Sequence, residues 1–278
     1  MSTTILKKIS GRAIYNLGAI CLSMIAVVPF LWMLTTSLKS SGALMAIPIE
    51  WIPKHPTAEN YLKLMKVSGL TRSIFNSIVV TVMAVVLALV SSSMAAFAFS
   101  KIRFRGSGIL FMAFIASMMI PSQVVFIPLY LVMNELKLTN TLLSVVLPYS
   151  FKAFAVFMLR QQMMGISDTY LDAAAIDGAS LWESFWKVFL PLTKTAMVTL
   201  GIIVTMDSWN DYLLPLVLLT DKKNFTLPII LNSMSGQYKN QYNLLMAGSL
   251  VSVLPLLVLY GVCNRYFRSG LQVGGIKG

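Results

Sequence analysis

Six stretches of this 278-residue chain are apolar over about the length that crosses a hydrocarbon layer, roughly 20 residues. They run about 13–37, 73–99, 107–133, 142–160, 195–219 and 244–266. Lipid offers no hydrogen bonds, so a spanning segment must satisfy its own backbone, and single segments do so as helices. The expected fold class is therefore all-α integral membrane, with six transmembrane helices. Composition agrees: 57% of residues are hydrophobic and 12% charged, where a soluble domain carries about a quarter charged residues. The first stretch is too long for a cleaved signal peptide, and no A-x-A-like site follows it. Cys21 and Cys263 each lie in an apolar stretch without a metal-ligand neighbour and read as free thiols. His55, the single histidine, sits in a Pro-rich loop and reads as solvated.

The net charge of +12 has to be placed relative to the spans before it means anything. With six spans, Lys7, Lys8, Arg12, Lys101, Arg103, Arg105, Arg160, Lys187, Lys194, Arg265, Arg268 and Lys277 share one side. The other side holds Lys39, Lys54, Lys63, Lys66, Arg72, Lys137, Lys222, Lys223 and Lys239. The Lys101–Arg105 cluster decides the orientation, because charges in short connections weigh most. Both termini and the stretch 167–192 are then expected in the cytoplasm of a prokaryotic cell. Two loops face outward, about 38–72 and about 220–243. The second mixes an apolar patch with Gln, Asn and Tyr, a composition that suits either a structured loop or contact with a soluble partner.

The polar stretch 167–192, SDTYLDAAAIDGASLWESFWKVFLPL, lies between the fourth and fifth apolar segments. It opens as a short helix. Ser167 or Thr169 can cap it, and Asp168 suits the positive end of its dipole. Leu171, Ala174, Ala175 and Gly178 share one face by spacing. Gly178 permits a left-handed C-cap. At about 15 Å the helix is half the length of a span and reads as a docking element.

Asp172-Ala173-Ala174, Gly178, Val188 and Leu190-Pro191 stand at the spacing of the Glu-Ala-Ala … Gly … Ile-x-Leu-Pro loop. That pattern resembles the EAA loop of ABC-importer permease subunits, with Asp172 in place of Glu and Val188 in place of Ile. Ile176-Asp177-Gly178-Ala179 is similar to the carbohydrate (maltose/maltodextrin-type) branch. So are Trp209-Asn210, Thr226-Leu227-Pro228, Gly236-Gln237-Tyr238 and the tail from Arg265 to Gly278. The resemblance covers about 76–278 and is looser before that. It implies that the Asp172 helix docks on an ATPase subunit, with Asp172, Ala173, Ala174, Gly178, Leu190 and Pro191 as the coupling residues. It also implies that Gly274, Gly275 and Lys277 of the tail reach the ATPase interface. The implied partners are a second, different permease chain, two ATP-binding subunits and an extracytoplasmic solute-binding protein.

The chain has no phosphate-binding G-x-x-x-x-G-K-[ST] loop, no His/Cys metal cluster and no nucleophile–His–acid arrangement. It is therefore not expected to be an enzyme or to bind a metal, cofactor or nucleic acid. ATP and Mg would be used by the partner ATPase. Ionisable residues within spans are costly and are candidates for function. Asp207 lies within the fifth stretch, with Asn210 and Asp211 on its face; Lys152 lies in the fourth; Gln123 follows Pro121 in the third. With Tyr149, these six residues supply the amides, carboxylates and aromatic face that a sugar path needs. The same residues could instead bond helices together, with Lys152 and Asp207 as a packed ion pair. Pro215 lacks the N–H that would bond the Asp211 carbonyl, so a kink is expected there.

The expected organisation is an N-terminal span and external loop over 1–71, a permease core over 72–265 and a cytoplasmic tail over 266–278. The expected function is the membrane subunit of a sugar or oligosaccharide importer. The alternatives are an ABC permease for a polyamine or glycerol phosphate, or an ion-coupled secondary transporter using Asp207 and Lys152. The orientation is open to a direct test. A cysteine placed at Ser235 is expected to react with an impermeant maleimide on intact cells, and one at Ser107 only after lysis. The reverse pattern would put the Asp172 helix outside.

Overall fold

The computed structural model describes residues 2–40, 50–238 and 241–270, with side chains over 15–40, 50–238 and 241–264. All regular structure among these residues is helical. In chain order the helices are α1 (Ser2–Ser37), α2 (Glu59–Met65), α3 (Leu70–Lys101), α4 (Ser107–Ser117), α5 (Ser122–Glu135), α6 (Leu142–Val146) and α7 (Ala153–Met164). They continue with α8 (Thr169–Ile176), α9 (Leu181–Ser184), α10 (Leu190–Leu192), α11 (Lys194–Asn210), α12 (Leu213–Leu218), α13 (Leu227–Gln237) and α14 (Tyr242–Gly270). Two compact units emerge, one of Met1–Ser68 with Leu231–Leu254, the other of Gly69–Ile230 with Pro255–Gly278.

Four helical segments are long and apolar enough to cross a membrane: Tyr15–Ser37, Leu70–Lys101, Leu142–Met164 and Tyr242–Asn264. The other two expected spans are broken. The third is α4 and α5 joined at a 106° bend. The fifth, expected over 195–219, stops with α11 at Asn210, and the bent pair there joins α11 at 77° to Leu181–Leu192, a segment the sequence reading placed in the polar stretch. The number of spans is thus four, or six where each bent pair counts as one. Neither break departs from the all-helical class, but the uniform 107–133 span expected from the sequence is two helices.

The larger unit is built around α3, which packs against α7 and α11. Among its buried side chains, Ser73, Ser77, Thr81, Ala84, Ala88, Ser92 and Ala96 recur at three- or four-residue steps and form a stripe of small groups, with Leu70, Val80 and Phe97 buried beside it. Small residues on one stripe let helix backbones approach closely where lipid gives no hydrophobic drive for association. Gly201 of α11 continues the fit from the other side, where an added Cβ would touch Leu89 and Val85 of α3 at 3.8 Å. Larger groups fill the C-terminal end of the helix: Phe97 lies 5.4 Å from Phe185 and 5.2 Å from Phe189, ring centre to ring centre. At the start of α3, the Asn76 Nδ2 donates to the carbonyls of Lys223 (2.9 Å) and Phe225 (3.0 Å). Ser77 Oγ accepts from the Leu227 N–H at 2.8 Å. These bonds tie the 221–227 loop to the helix.

The smaller unit is held by an amide network. Asn60 Nδ2 donates to the Ser37 and Lys39 carbonyls at 2.7 and 2.8 Å, which closes the end of α1. Asn243 Nδ2 donates to Asn60 Oδ1 at 2.7 Å, so α2 and the start of α14 share one buried joint. Gly248 faces Leu231 so tightly that an added Cβ would lie 2.8 Å from its Cδ2.

If the small stripe sets the helix spacing, then Ala88→Leu overpacks it. The expected loss is about 1–3 kcal/mol, read as a lower thermal-aggregation midpoint in detergent. Val86→Leu, at a position 54% exposed, is expected to leave the midpoint unchanged. Equal effects of the two would refute the stripe as the packing face.

Candidate functional site

Three helix breaks in the larger unit surround one cavity of about 1000 Å³, and each break traces to a proline. Pro121 pushes Ile120 away from helical geometry. It stands before α5 with φ −58° and ψ 132°, and no side chain caps the new helix. Pro148 cannot donate to the carbonyl of Ser144. There α6 tightens into a 3₁₀ turn, Leu147–Phe151, and then Lys152 goes extended, with φ −75° and ψ 115°, before α7 begins. Pro215 cannot donate to the Asp211 carbonyl and its ring crowds that group. The expected kink is a full break: α11 stops at Asn210 and Asp211 is extended, with φ −69° and ψ 122°. The Asp211 carboxylate repairs part of the loss, since its Oδ1 accepts from the Leu214 N–H at 3.3 Å.

All six polar residues singled out from the sequence, Gln123, Tyr149, Lys152, Asp207, Asn210 and Asp211, line this cavity. The Lys152 Nζ lies 2.6 Å from Asp207 Oδ2 and 4.5 Å from the centre of the Tyr149 ring. The Tyr149 hydroxyl donates to Asp211 Oδ2 at 2.7 Å. Asn210 Nδ2 donates to the Met206 carbonyl at 2.8 Å, and Ser122 Oγ donates to Gln123 Oε1 at 3.4 Å. The pair is not packed away: the Lys152 and Asp207 side chains are 29% and 51% exposed. Both alternatives from the sequence thus meet in one geometry, an ion pair that also lines a cavity. Trp209, between Asp207 and Asn210, is buried in the protein, as the helical wheel requires. The sequence reading missed the aromatic lining of Phe126, Phe151 and Phe154. Phe151 is 73% exposed, and the signal that could have found it is its place between Pro148 and Lys152.

The second group of candidate residues lies on the polar stretch. The N-terminus of α8 differs from expectation. Ser167 Oγ does accept from the Thr169 N–H, at 3.3 Å, but Asp168 does not serve the helix dipole alone. Its Oδ1 is 2.5 Å from Lys101 Nζ, which also donates to the Ile166 carbonyl at 2.6 Å. The Lys101 side chain is 2% exposed against 70% for Asp168. The hydrogen bond from Lys101 holds the Asp168 carboxyl below the usual range, helped by the Lys101 charge and, last, by Arg103.

The C-terminus of α8 is a Schellman turn. The Ala179 N–H donates to the Ala174 carbonyl at 2.9 Å and the Gly178 N–H to the Ala175 carbonyl at 3.1 Å. Gly178 takes φ +80° to close it. A capping box follows, with the Glu183 N–H on Ser180 Oγ (3.2 Å) and the Ser180 N–H on Glu183 Oε2 (3.0 Å). Two capped helix ends therefore flank one sharp corner.

The six residues that the resemblance assigned to coupling do not all face one way. Asp172, Ala173, Gly178 and Pro191 are exposed, whereas Ala174 is buried and Leu190 packs on the core. Ala175, expected beside Ala174, is exposed. The most exposed apolar side chain on the helix is Ile176, at 86%. Gly274, Gly275 and Lys277 lie outside the described residues. No group of three or more His, Cys, Asp or Glu side chains able to hold a metal occurs among the described residues.

Comparison with known proteins places this geometry. Residues 88–272 match the family model described as binding-protein-dependent transport system inner membrane component. The chain is 35% identical over 266 residues to the arabinooligosaccharides transport system permease protein AraQ of Halalkalibacterium halodurans, covering 95% of each chain. It is 34% identical over 270 residues to the AraQ of Bacillus subtilis, covering 96% of each. Its fold matches a chain in the crystal structure of a bacterial ABC transporter involved in the import of the acidic polysaccharide alginate. There the TM-score is 0.83 at 24% identity, with 93% of this chain and 98% of that one covered. With two thirds of its length in the family model and relatives of more than 30% identity along nearly all of it, this chain belongs to the inner membrane components of binding-protein-dependent transport systems, a family of ABC permeases that are transport parts rather than enzymes.

Proposed function

We propose that this chain is a permease subunit of an ATP-driven importer for a sugar or oligosaccharide, with the proline-broken cavity as its part of the path. The observation that carries the reading is the convergence of Gln123, Tyr149, Lys152, Asp207, Asn210 and Asp211 on one cavity at three helix breaks. Non-helical backbone at membrane depth is tolerated where it lines a water-filled space, and discontinuous helices build substrate sites in transporters. The transport of arabinooligosaccharides by the AraQ relatives points the chemistry towards saccharides. In this reading each bent pair is one span, giving six, and both termini are cytoplasmic. A second permease, two ATPases that use ATP and Mg, and an extracytoplasmic binding protein complete the machine. The 72–265 core carries the path, and the exposed face of α8 meets the ATPase.

Coupling is tested at the corner after α8. A β-branched side chain at the φ of Gly178 costs about 1–2 kcal/mol of backbone strain, although nothing lies within 4 Å of an added Cβ. Gly178→Val is expected to insert normally, to lose ATPase on co-purification and to lose uptake. Gly178→Asn, which tolerates the left-handed conformation, is expected to keep both. Full uptake by Gly178→Val would remove α8 from the coupling path.

The path is tested at the ion pair. Because Lys152 and Asp207 are part-exposed, the fold gains little from the pair, about 0–1 kcal/mol. Lys152→Met and Asp207→Leu are each expected to hold folded yield within about twofold, in line with that small energy, and to cut sugar uptake severely. The double variant is expected to recover yield and to leave uptake low, since the polar lining is gone. Wild-type uptake by the double variant would mean that the pair is structural and the path runs elsewhere.

A further inference from the structure

The charges and dipoles around the cavity specify more than a polar path. Among the described residues Lys152 is the single cation lining the cavity, and its charge is balanced by Asp207 at 2.6 Å. Asp211 offers its two oxygens to neutral donors, the Tyr149 hydroxyl and the Leu214 N–H. One ammonium thus faces two carboxylates, a net charge of −1 on this wall. The helix ends add no net field to offset it. Three helices begin at the cavity, α5, α7 and α12, and three helical segments end there, α4, α11 and the 3₁₀ turn that stops at Phe151. The positive N-terminal ends and negative C-terminal ends, each about half a charge, oppose one another. What the breaks do supply is a mixture of free N–H donors and free carbonyl acceptors within a turn of each other. No side chain caps the starts of α5 and α7, so their first N–H groups stay available.

We infer that this wall is built for an uncharged saccharide and disfavours a carboxylated one; the inference rests on the carbohydrate reading above. A sugar hydroxyl is both donor and acceptor, so it can use either end of a helix break, whereas a carboxylate can only accept. The acceptors Asp207, Asp211 and the Asn210 and Gln123 amide oxygens serve hydroxyl donors and repel an anion or leave it unbonded. Phe151, exposed beside Lys152, offers an apolar face to the C–H side of a sugar ring. The low-dielectric protein and lipid around the cavity screen the uncompensated carboxylate less than bulk solvent would, so its repulsion of an anion is stronger there.

The test uses the complete transporter in nanodiscs with the binding protein omitted, so that only the membrane cavity selects. Binding of maltotriose, trigalacturonate and spermidine is measured by saturation-transfer NMR at low salt. Maltotriose is expected to bind at least tenfold more tightly than trigalacturonate. Asp207→Asn with Asp211→Asn turns the wall from −1 to +1, and is expected to close that gap to threefold or less, or to invert it. Asp211→Asn alone, which keeps the Lys152–Asp207 pair, is expected to narrow the gap by a smaller factor and stands in if the double variant does not assemble. Equal binding of the two trisaccharides by the wild type overturns the inference and leaves the carbohydrate reading intact. A gap that survives the charge changes overturns it too, because another chain then sets the preference. Binding of spermidine with neither trisaccharide bound sinks the carbohydrate reading itself.

Discussion

A helix interrupted inside a bilayer frees backbone groups that lipid cannot answer, and the polar wall of the cavity in the larger unit lies where those interruptions fall. Each unsatisfied group costs several kcal/mol in hydrocarbon, so three breaks scattered over a lipid-facing surface would not be tolerated. Here they are gathered around a single cavity. Once gathered, they put backbone donors and acceptors on the wall of that cavity whatever the side chains are. The side chains then refine it. Asp211 bonds the restarted helix through Leu214 and a neighbouring break through Tyr149. Lys152 stands at one break and reaches Asp207 on α11, one turn before another. The two bonds brace adjacent walls at the points where the backbone is weakest.

The opposite demand operates at α3. This helix is unbroken over 32 residues and carries no proline, and its buried stripe is of Ser, Thr and Ala. Close packing of small side chains gives many weak dispersion contacts and little freedom to shift. The unit therefore combines one rigid member with neighbours interrupted by Pro121, Pro148 and Pro215. Motion that opened and closed a path would be taken up at the interruptions, where few residues absorb the dihedral change, rather than along α3.

Much of this was legible in the sequence, and what was not has physical reasons. Apolar length located the four long helical segments, because the thickness of a bilayer fixes that length. The six cavity residues were found because polar and ionisable groups in apolar runs are rare enough to stand out. Phe126 and Phe151 were not found, because an aromatic residue among aliphatic ones carries no such contrast. The 106° bend after Ser117 was read as a continuous span. Pro121 marks where a helix can stop, but the angle is set by what packs on either side. At Pro215 the reading had the right carbonyl and too small an effect, a kink where Asp211 instead leaves the helix entirely. Asp168 was assigned to its local dipole because Lys101 lies 67 positions away, and no local pattern reports a contact of that range.

The polar stretch shows how a loop can be made stiff enough to carry force. Its start is pinned by Lys101, whose buried ammonium holds both the Ile166 carbonyl and the Asp168 carboxylate. Its corner is fixed by the Schellman turn at Gly178 and the capping box at Ser180. After the corner, Phe185 and Phe189 sink into the core beside Phe97. An eight-residue helix is too short to be stable alone in water, so α8 keeps its shape only through these end bonds and the burial of Ala174. Its outward residues Asp172, Ala173 and Ile176 are exposed, the surface that the proposed coupling would use. Within the proposed coupling, a displacement of α8 would reach the end of α3 through Lys101 and the aromatic cluster through Phe185.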